Sequence, residues 1–176
     1  IDLQAAELAA LSRAFADTRL RIDRVDGAPR VRFDGPAVEG VLRLPRADDA
    51  LGIEAEFTRL HLPETLPGRG AEPLDPARLP ALHITVDDLR LGSAALGSAR
   101  IETAPLADGL RVEVLETRTD ALTVRGTGEW RLTPAGERSA FDVTFDADSL
   151  GRMLDALGYA GIIDGGECEV RLNGSW

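Results

Sequence analysis

Leu82-His83-Ile84-Thr85-Val86-Asp87-Asp88-Leu89-Arg90-Leu91 is the stretch that decides the fold. Leu82, Ile84 and Val86 alternate with His83, Thr85 and Asp87, the period of a strand with one apolar and one polar face. At Asp87-Asp88 the alternation slips by one residue, and Leu89 and Leu91 carry the apolar face onward. A slip of this kind marks a bulge rather than the end of the strand.

The same period extends in both directions. Upstream, Ile53, Ala55 and Phe57 share one parity of the run 51–62 while Leu60 and Leu62 take the other, which predicts a second bulge near Thr58-Arg59. Before it come a strand over 38–44, the break Gly35-Pro36, the pair Val31 and Phe33, the turn Asp26-Gly27-Ala28-Pro29, and the pair Leu20 and Ile22. Downstream, strands are expected over 96–103, 110–115, 122–132 and 141–145, separated by the turns Ala107-Asp108-Gly109 and Pro134-Ala135-Gly136. A last strand is expected over 167–176, with Val170 and Leu172 on one face. Regular turns of this kind predict an antiparallel meander.

Two segments depart from the strand period. In 2–17, Leu3, Leu8, Leu11 and Phe15 fall near one helical face, which predicts a helix of about four turns. Asp148-Ser149 opens a second, with Leu150, Met153, Leu154 and Leu157 as its apolar stripe and Gly158 as its stop. Between the halves, 63–80 holds five prolines and two glycines and cannot pair as a strand for long. This loop divides 1–62 from 81–176, and its length predicts a crossover or a joint between two parts of the sheet. The fold class is therefore mainly β with two short helices, one β-rich module over 1–176. The missing initiator Met and the strand-like end at Trp176 fit a piece of a longer protein.

About ten strands spaced ~4.8 Å apart make a sheet close to ~48 Å wide, and two helices each ~10 Å across cover less than half of its apolar face. Three arrangements cover the rest: closure into a barrel or sandwich, stacking on a neighbouring repeat, or an apolar ligand on an open concave face. Gly126-Thr127-Gly128-Glu129-Trp130 and Gly174-Ser175-Trp176 each put a Gly and a Trp two apart, hence on one face. Such pairs make a bent strand plugged by an aromatic ring, or the wall of a groove.

Thirty acidic residues against twenty basic ones, all Arg, leave a net charge of -10, which argues against a nucleic-acid partner. Hydrophobic residues make up 44% of the 176, enough for a real core, and no run of ~18 apolar residues is present to span a membrane. The one cysteine, Cys168, excludes an internal disulfide; it is placed on the polar parity of the last strand and given no role. His61 and His83 sit between apolar neighbours and point away from the core. Asp142, Asp146 and Asp148 alternate with Phe141, Val143 and Phe145 and read as the solvent face of a strand running into a helix cap, not a calcium site. No zinc spacing, nucleophile elbow or phosphate loop occurs, so neither an enzyme nor a cofactor is expected.

Several segments resemble the C-terminal part of the YhdP family, AsmA-like proteins related to TamB. They are 74–82 (Leu-Asp-Pro-Ala-Arg-Leu-Pro-Ala-Leu), 86–92 (Val-Asp-Asp-Leu-Arg-Leu-Gly), 96–103 and 126–130. Most specific is Asp148-Ser149-Leu150-Gly151 leading to Leu157-Gly158-Tyr159, Gly165-Gly166 and Asn173-Gly174-Ser175-Trp176. The resemblance spans 75–176; before Asp75 it rests on the order of strands. It implies a strongly curved antiparallel sheet, a taco-like groove built as an AsmA-like repeat module. It also implies a periplasmic bridge protein, anchored in the inner membrane by segments outside this chain and reaching toward the outer membrane. The implied activity is non-enzymatic phospholipid transport, with acyl chains as the partner and no catalytic residue to carry over. Leu110, Val112, Val114, Leu122, Val124, Trp130, Phe141, Val143 and Phe145 are the expected lining of that groove. A competing expectation is a structural cap or docking scaffold whose helices fill the concave face.

Overall fold

The computed structural model describes residues 2–10, 13–46, 52–63, 75–134, 136–159, 161 and 164–175, with the backbone alone for 2–10, 13 and 14. Eleven strands in sequence order form one sheet: β1 (Asp2–Ala10), β2 (Arg13–Val25), β3 (Ala28–Asp34), β4 (Val38–Arg43), β5 (Ile53–Leu62), β6 (Leu82–Leu91), β7 (Ala94–Leu106), β8 (Gly109–Arg118), β9 (Thr123–Thr133), β10 (Gly136–Ala147) and β11 (Cys168–Ser175). β1 and β11 are its two edges, so the sheet is open and not a closed barrel. Among the described residues one helix, α1 (Leu150–Ala156), and one 3-10 turn, Pro76–Arg78, accompany it.

Every neighbouring pair is antiparallel except β5 and β6, which run parallel with Ile53 opposite Leu82 and Leu62 opposite Leu91. The expected all-antiparallel meander is thus interrupted once. A parallel pair needs a connection that travels back the length of the strand, and the Pro-rich loop supplies it. Of that loop, 64–74 lie outside the described residues. Where the chain returns, Asp75 caps the 3-10 turn by accepting from the Ala77 N–H at 3.0 Å, and fully buried Pro76 sets the turn against β8 and β9.

Both bulges expected from the sequence are present, and they lie side by side. In β4–β5 the ladder steps from Arg59 opposite Glu39 to Phe57 opposite Gly40, leaving Thr58 unpaired. In β6–β7 it steps from Val86 opposite Ala99 to Leu89 opposite Gly97. Because β5 and β6 run parallel, Phe57 with Val86 and Leu60 with Leu89 stay in register across both slips. The hairpin at Asp26-Gly27 also forms as read: both residues have positive φ, 51° and 82°, the two-residue turn that matches strand twist.

The helix expected over 2–17 is not formed; the segment belongs to β1 and β2, paired from Asp2 with Arg21 to Ala10 with Arg13. Asp17 explains the misreading, because its φ of 48° rephases β2. Phe15 and Thr18, three apart as on a helix face, are consequently both buried in a strand. Ala-rich helix propensity is a weak preference that ladder pairing overrides. The Leu3, Leu8 and Leu11 side chains and Trp176 lie outside the described residues.

Candidate functional site

Residues directly opposite in a ladder share a face, so the pairings sort the side chains. One face carries Leu20 and Ile22 (β2), Val31 and Phe33 (β3), Val38 and Leu42 (β4), and Ala55, Phe57 and Leu60 (β5). It continues through Ile84, Val86 and Leu89 of β6 and Ala99 and Ile101 of β7. In β8–β11 its rows read Leu110–Trp130–Ser139, Val112–Gly128–Phe141–Gly174, Leu115–Gly126–Val143–Leu172 and Thr117–Val124–Phe145–Val170. An apolar surface therefore runs from β2 to β11.

Eight of the nine residues expected to line a groove fall on or at the end of this face. Val114 does not. The ladder puts Val112 opposite Thr103 but Val114 opposite Glu102, so Glu113 is an extra residue and Val114 turns to the charged face, where Leu115 takes its place. The adjacent apolar pair Val114-Leu115 was the available signal, of the same kind as Asp87-Asp88. Within β8–β11, Leu115, Val170 and Leu172 are further apolar residues of the face that sequence reasoning left out of the site. Cys168 is a further correction: it pairs with Ala147 on the apolar parity, its Sγ 3.9 Å from Met153 Sδ.

The glycines in these rows are roofed by neighbouring side chains. A Cβ on Gly126 would stand 3.0 Å from Val143 Cγ2 and 3.5 Å from Leu115 Cδ2, and one on Gly174 would stand 3.0 Å from Phe141 Cε1. The same device recurs in the other half, where Phe33 and Phe57 meet across Gly40 with ring centroids 5.9 Å apart. Bare backbone in one strand is thus covered by large apolar groups leaning from the next.

Two buried clusters lie under this surface. Val86, Leu89 and Ala99 form one, with Phe57, Leu60 and Ile84 against it; Leu122, Val124, Ala147 and Met153 form the other. Full burial of a Val or Leu side chain is worth about 1.5–3 kcal/mol. Met153 comes from α1, which is N-capped by Ser149 and closes the end of the face where β9 begins and β10 ends. Between α1 and the 3-10 turn, Val112, Phe141 and Val143 are half-buried and Leu172 is 49% exposed. The chain as a whole exposes 11348 Å². A compact monomer of its mass would expose about 8,300 Å².

The opposite face is a lattice of charge. Asp23 holds Arg30 through two 2.8 Å bonds, Arg43 reaches Glu56 at 3.0 Å, Arg111 reaches Glu129 at 3.1 Å and Arg171 reaches Asp142 at 2.6 Å. Hydrogen bonds from these guanidiniums hold the Asp23 and Asp142 carboxyls below their ordinary range, and Arg131 followed by Arg111 does the same for Glu129. His61 lies 2.7 Å from Asp88 and His83 contacts Glu102, and each histidine lowers the pKa of its carboxylate partner. Both histidines therefore sit on the polar face, as their neighbours in sequence required. Among the described residues neither is hydrogen-bonded to a Ser, Thr or Cys side chain, and no three His, Cys, Asp or Glu side chains gather as for a metal. Two shallow concavities of about 390 and 500 Å³ open on this face around Thr127 and Asp142, the first reaching Arg125 and the second Arg111.

Among the described residues no helix is long and apolar enough to cross a membrane. The family model described as YhdP protein matches residues 1–176. No curated protein and no solved structure matches the chain.

Proposed function

The chain belongs to the YhdP family, which is tied to lipid transport rather than catalysis, and from that premise we propose that this module shields phospholipid acyl chains on the apolar face of its sheet. The observation that carries the reading is the division of the sheet: one face apolar from β2 to β11, the other charged and crossed by ion pairs. Each methylene laid on the apolar face is worth about 0.8 kcal/mol relative to water. The headgroup stays at the open edge, where β11 ends the sheet. Transport also needs an even energy along the path, and rows of Leu, Val, Phe and Gly without a fixed charge supply it. In this reading the module is one part of a periplasmic bridge anchored in the inner membrane, and the face is the wall of a curved groove. Val112, Trp130, Phe141 and Val143 line its open stretch, Leu110 is buried beside Trp130, and Leu122, Val124 and Phe145 line the end under α1.

The experiment is native mass spectrometry of the chain with photo-crosslinkers placed singly at Val112, Val143 and His83. Lipid adducts at Val112 and Val143 and none at His83 are the expected outcome. Adducts at none of the three, or equally at all three, would overturn the proposal.

A second reading, a cap that ends the groove, draws on α1, whose Met153 fills the space over Leu122, Val124 and Ala147. A crosslinker at Phe145 separates the two readings. Adducts there place lipid under or around α1, whereas adducts that stop at Val143 make α1 the closed end.

A further inference from the structure

β11 pairs only with β10, and among the described residues no backbone hydrogen bond is made on its other side. An open edge of this kind is a template for another strand, and proteins commonly blunt it with Pro, a bulge or charged side chains. β11 has no Pro and pairs with β10 without a slip from Cys168 to Ser175, and the charges near its centre, Glu169 and Arg171, are of opposite sign. Both are incompletely matched within the chain. Glu169 stands opposite Asp146, a like charge that Arg125 holds at 3.1 Å, and makes no ion pair with any described residue. Arg171, two residues along the same face, feels the charge of Glu169 but is bound to Asp142, through Nε at 3.1 Å and Nη2 at 2.6 Å. Its side chain remains 65% exposed, with guanidinium N–H groups that Asp142 does not use. On the apolar parity Val170 is half-buried and Leu172 is exposed.

We propose that two copies of this chain pair edge to edge through β11, antiparallel about a twofold axis at Val170. In that register Val170 meets Val170 of the second copy, Cys168 meets its Leu172, and Glu169 and Arg171 meet its Arg171 and Glu169. Opposite charges thus cross the new ladder twice, and each Glu169 gains the cation it lacks. The alternatives are worse. A slip of one residue sets apolar side chains opposite charged ones. Centring on Glu169 or on Arg171 sets that charge against its own copy, and centring on Leu172 leaves Arg171 opposite Asn173 and Glu169 opposite Ser175, with no charge pair. A twofold axis between antiparallel strands stands perpendicular to the sheet, so the apolar faces of both copies lie on one side. Pairing occupies the edge at which a lipid headgroup would stay, so the two are alternatives there, and pairing does not depend on acyl chains being bound.

The test is sedimentation velocity of the whole chain, free of lipid, from about 10 µM to about 1 mM, a range suited to weak interfaces that bury less than about 1,200 Å². A monomer–dimer equilibrium is expected. Glu169→Arg faces Asp146 in the single copy and breaks no bond there, so it folds; it puts like charges at both crossings and is expected to weaken self-pairing about tenfold. Arg171→Glu is expected to do the same. Mixed one to one, the two variants restore opposite charges at both crossings, and so does the exchange Glu169→Arg/Arg171→Glu within one chain. Loss of self-pairing in Glu169→Arg, with recovery to within about threefold in the mixture or in the exchanged chain, supports the twofold at Val170. A monomer throughout the range, a dimer that Glu169→Arg leaves unchanged or tightens, or a loss that neither the mixture nor the exchange recovers, overturns the proposal.

Discussion

Truncating Met153 to Ala tests the idea that α1 is held by the sheet and not by itself. α1 has seven residues, too few to persist alone in water, and its first turn carries no acidic side chain to favour it. What remains is its cap and its packing, and Met153 is its buried contact, 6% exposed among Leu122, Val124 and Ala147. Met→Ala in a core costs about 2–5 kcal/mol. The lower part of that range applies, about 2–3 kcal/mol, because the half-buried Leu150, Leu157 and Cys168 around the site can settle into the space. If α1 melts with the sheet, the midpoint of thermal unfolding falls by roughly 4–12 °C for a chain of this size. If α1 opens alone, the midpoint holds and the amides of Leu157 and Tyr159, which donate to Met153 and Leu154 carbonyls, exchange about 30- to 150-fold faster. Met153→Leu keeps the volume and is expected to cost less than about 1.5 kcal/mol by the same measurements. Unchanged melting together with unchanged exchange in Met153→Ala would refute the assignment of α1's stability to that contact.

Other outcomes follow from single positions. Thr117 is 4% exposed and its hydroxyl has no hydrogen-bond partner, so Thr117→Val is expected to raise stability by about 1 kcal/mol, read as a higher urea midpoint with an unchanged slope. Gly97 has φ of 68° and a Cβ there would stand 2.1 Å from the Arg118 carbonyl oxygen; Gly97→Ala is expected to lower stability by about 1–3 kcal/mol, visible as an earlier thermal transition. The lowered carboxyl groups of Asp23, Asp88, Glu102, Glu129 and Asp142 fix the sign of the acid response. Their stabilising contribution is whole above the ordinary values of 3.8 and 4.5 and is lost as pH falls through the lower folded-state values, which urea midpoints measured from neutral pH downward will report. Arg171→Gln is expected to move the Asp142 pKa back up toward its ordinary value, measured by carboxyl-carbon NMR titration.

Much of this architecture was legible along the chain because strand periodicity is a local property. A run such as 82–91 must bury alternate residues whichever strand lies beside it, and a slip in the run must be absorbed where it occurs. The bulges at Thr58 and at Asp87-Asp88, the Asp26-Gly27 hairpin, the α1 cap at Ser149 and the placement of His61 and His83 on the polar face follow from that locality. Which residues share the apolar face was legible to the same extent, and Val114 was misplaced because Val114-Leu115 offers two equally apolar neighbours for one inward position.

Composition and alternation by themselves determined a mainly β chain with one apolar and one charged face. Only the tertiary structure decided which way the strands run and which of two possible parities each one keeps. The parallel pairing of β5 with β6 depends on where the chain re-enters after the Pro-rich loop. The strand character of 2–17 depends on a partner ladder and on the positive φ of Asp17. Cys168 turns inward because Ala147 is its opposite residue and Met153 lies over it. Each of these is set by a neighbour distant in sequence, and a pairing partner contributes its hydrogen bonds and buried area only once the chain has folded back to meet it.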